Sequence, residues 1–140
     1  MRLIAITAVV ALSAGCVSTH PITPHVASSS VDFAAAPVVE VTLSSYHFMP
    51  HVVRLQAGRP YALKLVNAAT MKHTFTAPEF FAAAQVAPDA AALVAKGQVE
   101  LAGGGTVVVR LVPAPGEYKV VCAEFGHALL GMTGRVSVSS

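Results

Sequence analysis

Tryptophan is absent from this 140-residue chain, aromatic residues make up only 6% of it and charged residues 11%. So few charges, with no run of Lys or Arg and no basic face interleaved with aromatics, exclude a nucleic-acid-binding surface. Long apolar runs are missing too. The N-terminal stretch over residues 3–12 falls short of the ~20 apolar residues that span a bilayer as a helix, and no later segment comes closer. Gly103, Gly104 and Gly105 stand together without a strand-to-helix setting or a Lys, so they read as a flexible loop rather than a phosphate cradle. No Ser/His/Asp or paired-carboxylate arrangement stands out, and an enzyme is not expected. Cysteine is scarce, with only Cys16 and Cys122.

Arg2, the apolar residues 3–12 and the small residues after them have the layout of a secretory signal peptide, expected over residues 1–15. The string Leu12-Ser13-Ala14-Gly15-Cys16 resembles the lipobox of bacterial lipoproteins. The resemblance implies a diacylated Cys16 as the new N-terminus and export to the cell envelope. Val17, rather than Asp, after the cysteine implies the outer membrane, facing the periplasm, where the cell has one. Loss of residues 1–15 removes Arg2 and leaves a formal charge of +1. With lipid on Cys16, Cys122 has no disulfide partner. A lone thiol in an oxidising compartment is a liability unless something occupies it, and a metal bond would do so.

Residues 16–37 are rich in Ser, Pro and Ala and lack any period, which reads as a lipidated N-terminus followed by a flexible tether carrying solvated His20 and His25. Residues 38–140 read as one folded domain. Val39, Val41 and Leu43 alternate with Glu40 and Thr42. The same period of two recurs at Val53/Leu55, Tyr61/Leu63/Leu65, Met71/His73/Phe75, Val107/Val109/Leu111, Tyr118/Val120/Cys122 and Val136/Val138. Short alternating runs separated by turn residues predict an all-β antiparallel Greek-key sandwich or barrel. Pro88 to Gly97 interrupts the pattern and reads as one short helical excursion.

The end of the chain carries the chemistry. Cys122 ends one strand-like run, His127 follows five residues later and Met132 five after that, just before the next run. A thiolate, an imidazole and a thioether on one short loop suit an ion that alternates between soft cuprous and harder cupric states. One more nitrogen ligand is needed. His73 is the leading candidate, with His47 and His51 as rivals near the turn at Met49 and Pro50.

Three pieces of the chain resemble the cupredoxins, the small blue copper proteins related to plastocyanin, azurin and rusticyanin. They are Phe48-Met49-Pro50 with residues 53–58, then Lys72-His73-Thr74-Phe75, then the Cys122/His127/Met132 loop with Gly131-Met132-Thr133-Gly134. The resemblance implies one type 1 copper ion held by His73, Cys122 and His127, with Met132 as a long axial ligand. Thr74 stands where many members have Asn, and Phe125 where many have Pro. This leaves the hydrogen bonding at the Cys122 sulfur open while removing no ligand.

The expected function is an envelope-anchored, monomeric carrier of single electrons. Redox protein partners would dock around His127, among Phe125, Ala128, Leu129 and Leu130. The alternative is a copper-binding or copper-delivery protein in which Met71, two residues before His73, joins Met49 and the tether histidines in a second, softer site.

Overall fold

The structure, a computed structural model, describes residues 20–140. The expected signal peptide and Cys16 lie outside the described residues. Eleven strands among these residues build two facing sheets. They are β1 (His25–Val26), β2 (Val38–Ser44), β3 (His47–Met49), β4 (Val52–Gln56), β5 (Tyr61–Asn67) and β6 (His73–Thr76). After these come β7 (Gln85–Val86), β8 (Gln98–Leu101), β9 (Thr106–Val112), β10 (Gly116–Val121) and β11 (Thr133–Ser139). One sheet has the order β1-β7-β9-β5-β2-β3 and the other β4-β11-β10-β6-β8.

The two-residue alternation does what the sequence implied. Val41, Leu43, Leu63, Leu65, Val109 and Leu111 of the first sheet are buried against Val53, Leu55, Phe75, Val120, Val136 and Val138 of the second. Strand direction, by contrast, is invisible to alternation, which encodes only the face a side chain takes. Accordingly β2 runs parallel to β5, β4 to β11 and β1 to β7, while the remaining pairs are antiparallel.

Two departures from the sequence reading bear on the site. A second helical element, α1 (Pro78–Ala83), follows β6. Pro78 at its start has φ already set for a helix, and Glu79 favours the first turn. Its Phe80 and Phe81 are buried, Phe80 against Tyr118 and Phe81 against Phe75. The expected excursion is present as a 3₁₀ turn (Pro88–Ala90) running into α2 (Ala91–Val94). Second, the segment expected to be a free tether is partly bound to the domain from His20 onward. The Ile22 N–H donates to the Ala95 carbonyl at 2.9 Å, β1 pairs with β7, and Ala27 is buried. Ile22 and Phe33 pack against the core, and these apolar side chains oppose solvation of the segment.

The site sits at one end of the sandwich. There β10 finishes, β6 starts, and the loop between β10 and β11 crosses over.

Candidate metal centre

Cys122 directly follows β10, whose register against β11 ends at Val121↔Thr133. Tyr118, Val120 and Cys122 share a face, so the sulfur enters the sandwich and Cys122 is buried, with no disulfide among the described residues. The Cys122 N–H donates to the Met132 carbonyl at 3.0 Å, and the Met132 N–H to the His127 carbonyl at 3.0 Å. These two bonds close residues 122–132 into a compact arch. Gly126 and Gly131 make its two sharp turns at φ +79° and +95°, a region that a Cβ disfavours. Met132 is fully buried beneath the arch.

His73 opens β6 and is also fully buried. Its approach is fixed by Asn67, at the end of β5. Asn67 Nδ2 lies within hydrogen-bond distance of the carbonyls of Met71, Leu101 and Ala102 (2.8, 3.1 and 3.1 Å), and its Oδ1 accepts the Ala69 N–H at 3.0 Å. One buried amide therefore shapes the loop that delivers His73. Lys72 and Glu124 add a surface ion pair of 3.2 Å between the segments that carry His73 and Cys122. The hydrogen bond to Glu124, helped by its charge, raises the Lys72 pKa.

The result is a triangle of donor atoms. Cys122 Sγ lies 3.7 Å from His73 Nδ1 and 3.6 Å from His127 Nδ1, and the two Nδ1 atoms are 3.2 Å apart. A point equidistant from all three is about 2.0 Å from each, close to the ~2.0–2.1 Å of a metal–imidazole bond. All three residues are buried, and they are the one group of metal-ligating side chains found close enough together among the described residues. Burial, then the nearby His127, lowers the pKa of His73 and favours the neutral imidazole that a metal requires. His73 faces the triangle through Nδ1, and its Nε2 is buried without a protein partner. A thiolate with two imidazoles in a buried, preformed site fits one type 1 copper ion.

Thr74 supplies the hydrogen bonding at the sulfur. Its N–H donates to Cys122 Sγ at 3.5 Å, and its hydroxyl lies 3.9 Å from that sulfur. The same hydroxyl accepts the Ala123 N–H at 2.7 Å, so Thr74 fastens the two ligand segments together. The relay then continues away from the metal site: Thr74 Oγ1 to Thr76 Oγ1 at 2.9 Å, and Thr76 Oγ1 donating to Gln98 Oε1 at 3.3 Å. Gln98 Nε2 donates to Glu100 Oε1 at 3.2 Å, which fixes the amide with its oxygen toward Thr76. Since the Thr76 proton goes to Gln98, Thr76 accepts from Thr74. The Thr74 proton is thereby drawn away from the sulfur.

The other histidines and methionines lie elsewhere. His47 is exposed and bonds Ser44 Oγ at 2.8 Å, His51 is exposed, and neither joins the triangle. Met71 precedes β6 rather than belonging to it and is 52% exposed, and Met49 is 62% exposed. Sequence reasoning missed Tyr46, whose ring packs edge-on against His127 with 5.3 Å between centroids. Its φ of +72° is unusual for a non-Gly residue, and no local sequence signal marks it. His127 itself is only 6% exposed, so Tyr46 and the arch leave it a narrow edge at the surface.

The chain belongs to the cupredoxin-like domain family, which it matches over residues 4–132. No curated protein matches it. Among solved structures it is similar to auracyanin B, at 23% identity and a TM-score of 0.58, covering 87% of this chain and 99% of that one. It is also similar to auracyanin A, described as a "blue" copper protein from the green thermophilic photosynthetic bacterium Chloroflexus aurantiacus, at 20% identity and a TM-score of 0.52 over 74% of this chain and 100% of that one. The McoA multicopper oxidase of Aquifex aeolicus shares the fold at 17% identity and a TM-score of 0.60, over 80% of this chain but 31% of that one. At these identities the likeness establishes the fold.

Proposed function

We propose that this chain is a type 1 copper protein carrying single electrons between redox partners at the cell envelope, held there by lipid on Cys16. The observation that carries the reading is the convergence of His73 Nδ1, Cys122 Sγ and His127 Nδ1 to within 3.2–3.7 Å of one another in a buried site. Bound copper would supply the one-electron couple between Cu(I) and Cu(II). The protein's part is to hold its donors still. His73, Cys122 and His127 would hold the ion strongly, and Met132 would add a weak thioether donor. The arch bonds, Asn67 and Thr74 keep these groups in place whether or not an electron is present, so little reorganisation opposes transfer. With four protein donors no position stays open for substrate, which suits a carrier rather than a catalyst.

His127, at 6% the most exposed of these four side chains, offers the edge at which partners would exchange electrons. The auracyanin likeness in the fold, and a "blue" copper protein among those neighbours, support this reading. Export and anchoring rest on the lipobox-like Leu12-Ser13-Ala14-Gly15-Cys16. Absorption spectroscopy tests the core of the proposal. The copper(II) form should show an intense visible thiolate-to-copper band, and Cys122→Ser should abolish it. Weak bands only, in the copper(II)-loaded wild type, overturn the assignment.

A further inference from the structure

We propose that the face carrying Phe125, Leu129 and Leu130 rests on a lipid bilayer surface, so that the metal-ligand arch is presented to the membrane. This rests on the lipid-anchor reading above and adds an orientation to it. Phe125 is 92% exposed, Leu129 94% and Leu130 61%, and no charged side chain occurs from Phe125 to Gly134. Three large apolar side chains held in water at one end of a small domain call for a partner.

The path of the chain says which partner. His20, where the described residues begin, lines a cavity of about 500 Å³ together with the apolar Phe125 and Leu129 and the charged Glu79, Lys119 and Glu124. The point of entry is fixed. Ile22 is hydrogen-bonded to Ala95, and the His20 carbonyl packs so closely on Gly97 that a Cβ there would lie 2.6 Å from it. From this place the chain runs past β7 and starts β2 at Val38, level with Ala62 near the start of β5. Strand β2 then returns toward the site, where Tyr46 meets His127. The N-terminal segment therefore joins the domain on the face that includes the arch.

Length does the rest. Three residues lie between Cys16 and His20, and these four Cα-to-Cα steps reach at most ~13–14 Å when fully extended. Acyl chains sit in the hydrocarbon, and the headgroup layer above it takes up roughly 5–7 Å of that reach. The remaining ~6–9 Å is less than the ~10 Å that separates two packed sheets. The cavity face and its apolar rim are thus held against the headgroups, while the Ala57 to Pro60 turn, the length of β10 away, points into solvent. Phe and Leu are side chains that settle at the boundary of headgroup and acyl chain. Redox partners embedded in the same membrane then meet the His127 edge at the interface.

The absence of tryptophan makes the test clean. Leu129→Trp, Phe125→Trp and, as a control in the distant turn, Arg59→Trp each place one reporter in the copper-loaded full-length lipoprotein. Each is reconstituted into phosphatidylethanolamine/phosphatidylglycerol vesicles, and intact mass is read on the same samples. The reporters at 129 and 125 should be quenched at least twofold by acyl-brominated lipid relative to plain lipid and shielded from aqueous iodide, and the reporter at 59 should show the reverse. An acylated protein that floats with vesicles yet leaves positions 125 and 129 open to iodide overturns the membrane face alone, and assigns the patch to a protein partner. An unacylated mass with no flotation overturns the anchor, and the membrane face with it.

Discussion

The backbone N–H of Thr74 donates to the Sγ of Cys122 at 3.5 Å, joining residues 48 apart in sequence. It is the sulfur's firm donor, because the hydroxyl of the same residue is turned toward Thr76. A hydrogen bond to a ligand sulfur withdraws electron density from it and stabilises the reduced metal. Thr76→Val removes the acceptor of the Thr74 proton and leaves the sulfur, 3.9 Å away, as the alternative. The reduction potential of Thr76→Val should therefore rise and its charge-transfer band shift to higher energy, while copper remains bound. Voltammetry and absorption spectra of wild type and variant check this, and an unchanged or lower potential contradicts the direction assigned to the relay.

Asn67 is a structural counterpart on the other ligand segment. Asn67→Ala strips the donor from the carbonyls of Met71, Leu101 and Ala102 and the acceptor from the Ala69 N–H. Leaving buried backbone groups unsatisfied costs about 1–3 kcal/mol each where water cannot reach them. A loss of about 2–4 kcal/mol in unfolding free energy is expected. Urea unfolding of the copper-free protein measures it, and a loss below the usual surface value of ~0.5 kcal/mol would show that the loop holds itself.

The contrast between these residues and the proposed ligands explains how much the sequence disclosed. Cys122, His127 and Met132 lie on one eleven-residue arch, so their spacing alone brings them together, and the alternating strands assign their faces. His73 became a candidate through its place before Phe75 and the family resemblance, and the structure sets its Nδ1 3.7 Å from the sulfur. Tyr46, Asn67, Thr76 and Gln98 were not legible. Asn67 reaches Leu101 across 34 residues and Thr76 reaches Gln98 across 22, contacts that no local period encodes. Similarly, α1 is too short for a helical period to register, and the docked His25–Val26 pair is too short for alternation.

Acid should destabilise the copper-free domain through His73. Burial, with His127 alongside, lowers its pKa below the ordinary 6.5, so the unfolded chain takes up a proton more readily than the folded one. Stability therefore rises with pH across that window: it is fully present above about 6.5 and is lost as pH falls toward the lowered folded value. Urea midpoints measured from pH 7.5 down to 5 should decline, and His73→Gln should flatten that part of the curve. A wild-type midpoint constant over the range contradicts the prediction.

An electron carrier and a copper-delivery protein respond differently to changes at Met132 and Met71. Met132 is buried under an arch whose backbone bonds to Cys122 and His127 do not depend on its side chain, so its thioether can be exchanged with the three strong donors in place. A thioether favours soft Cu(I), whereas an amide oxygen favours Cu(II). Met132→Gln should lower the reduction potential, and Met132→Leu should raise it by removing the proposed thioether donor while keeping an apolar side chain there. Both should retain copper. Delivery makes a different demand, because the ion must leave along a path of soft, accessible donors, and Met71, half-exposed just before His73, is the side chain available. Met71→Leu should leave a carrier's potential and copper retention unchanged but slow transfer of Cu(I) from a delivery protein to a chelating acceptor. Reversible voltammetry over many cycles with copper retained, together with no effect of Met71→Leu, is the outcome expected. Loss of copper on each reduction, with Met71→Leu slowing that loss, would overturn the carrier assignment.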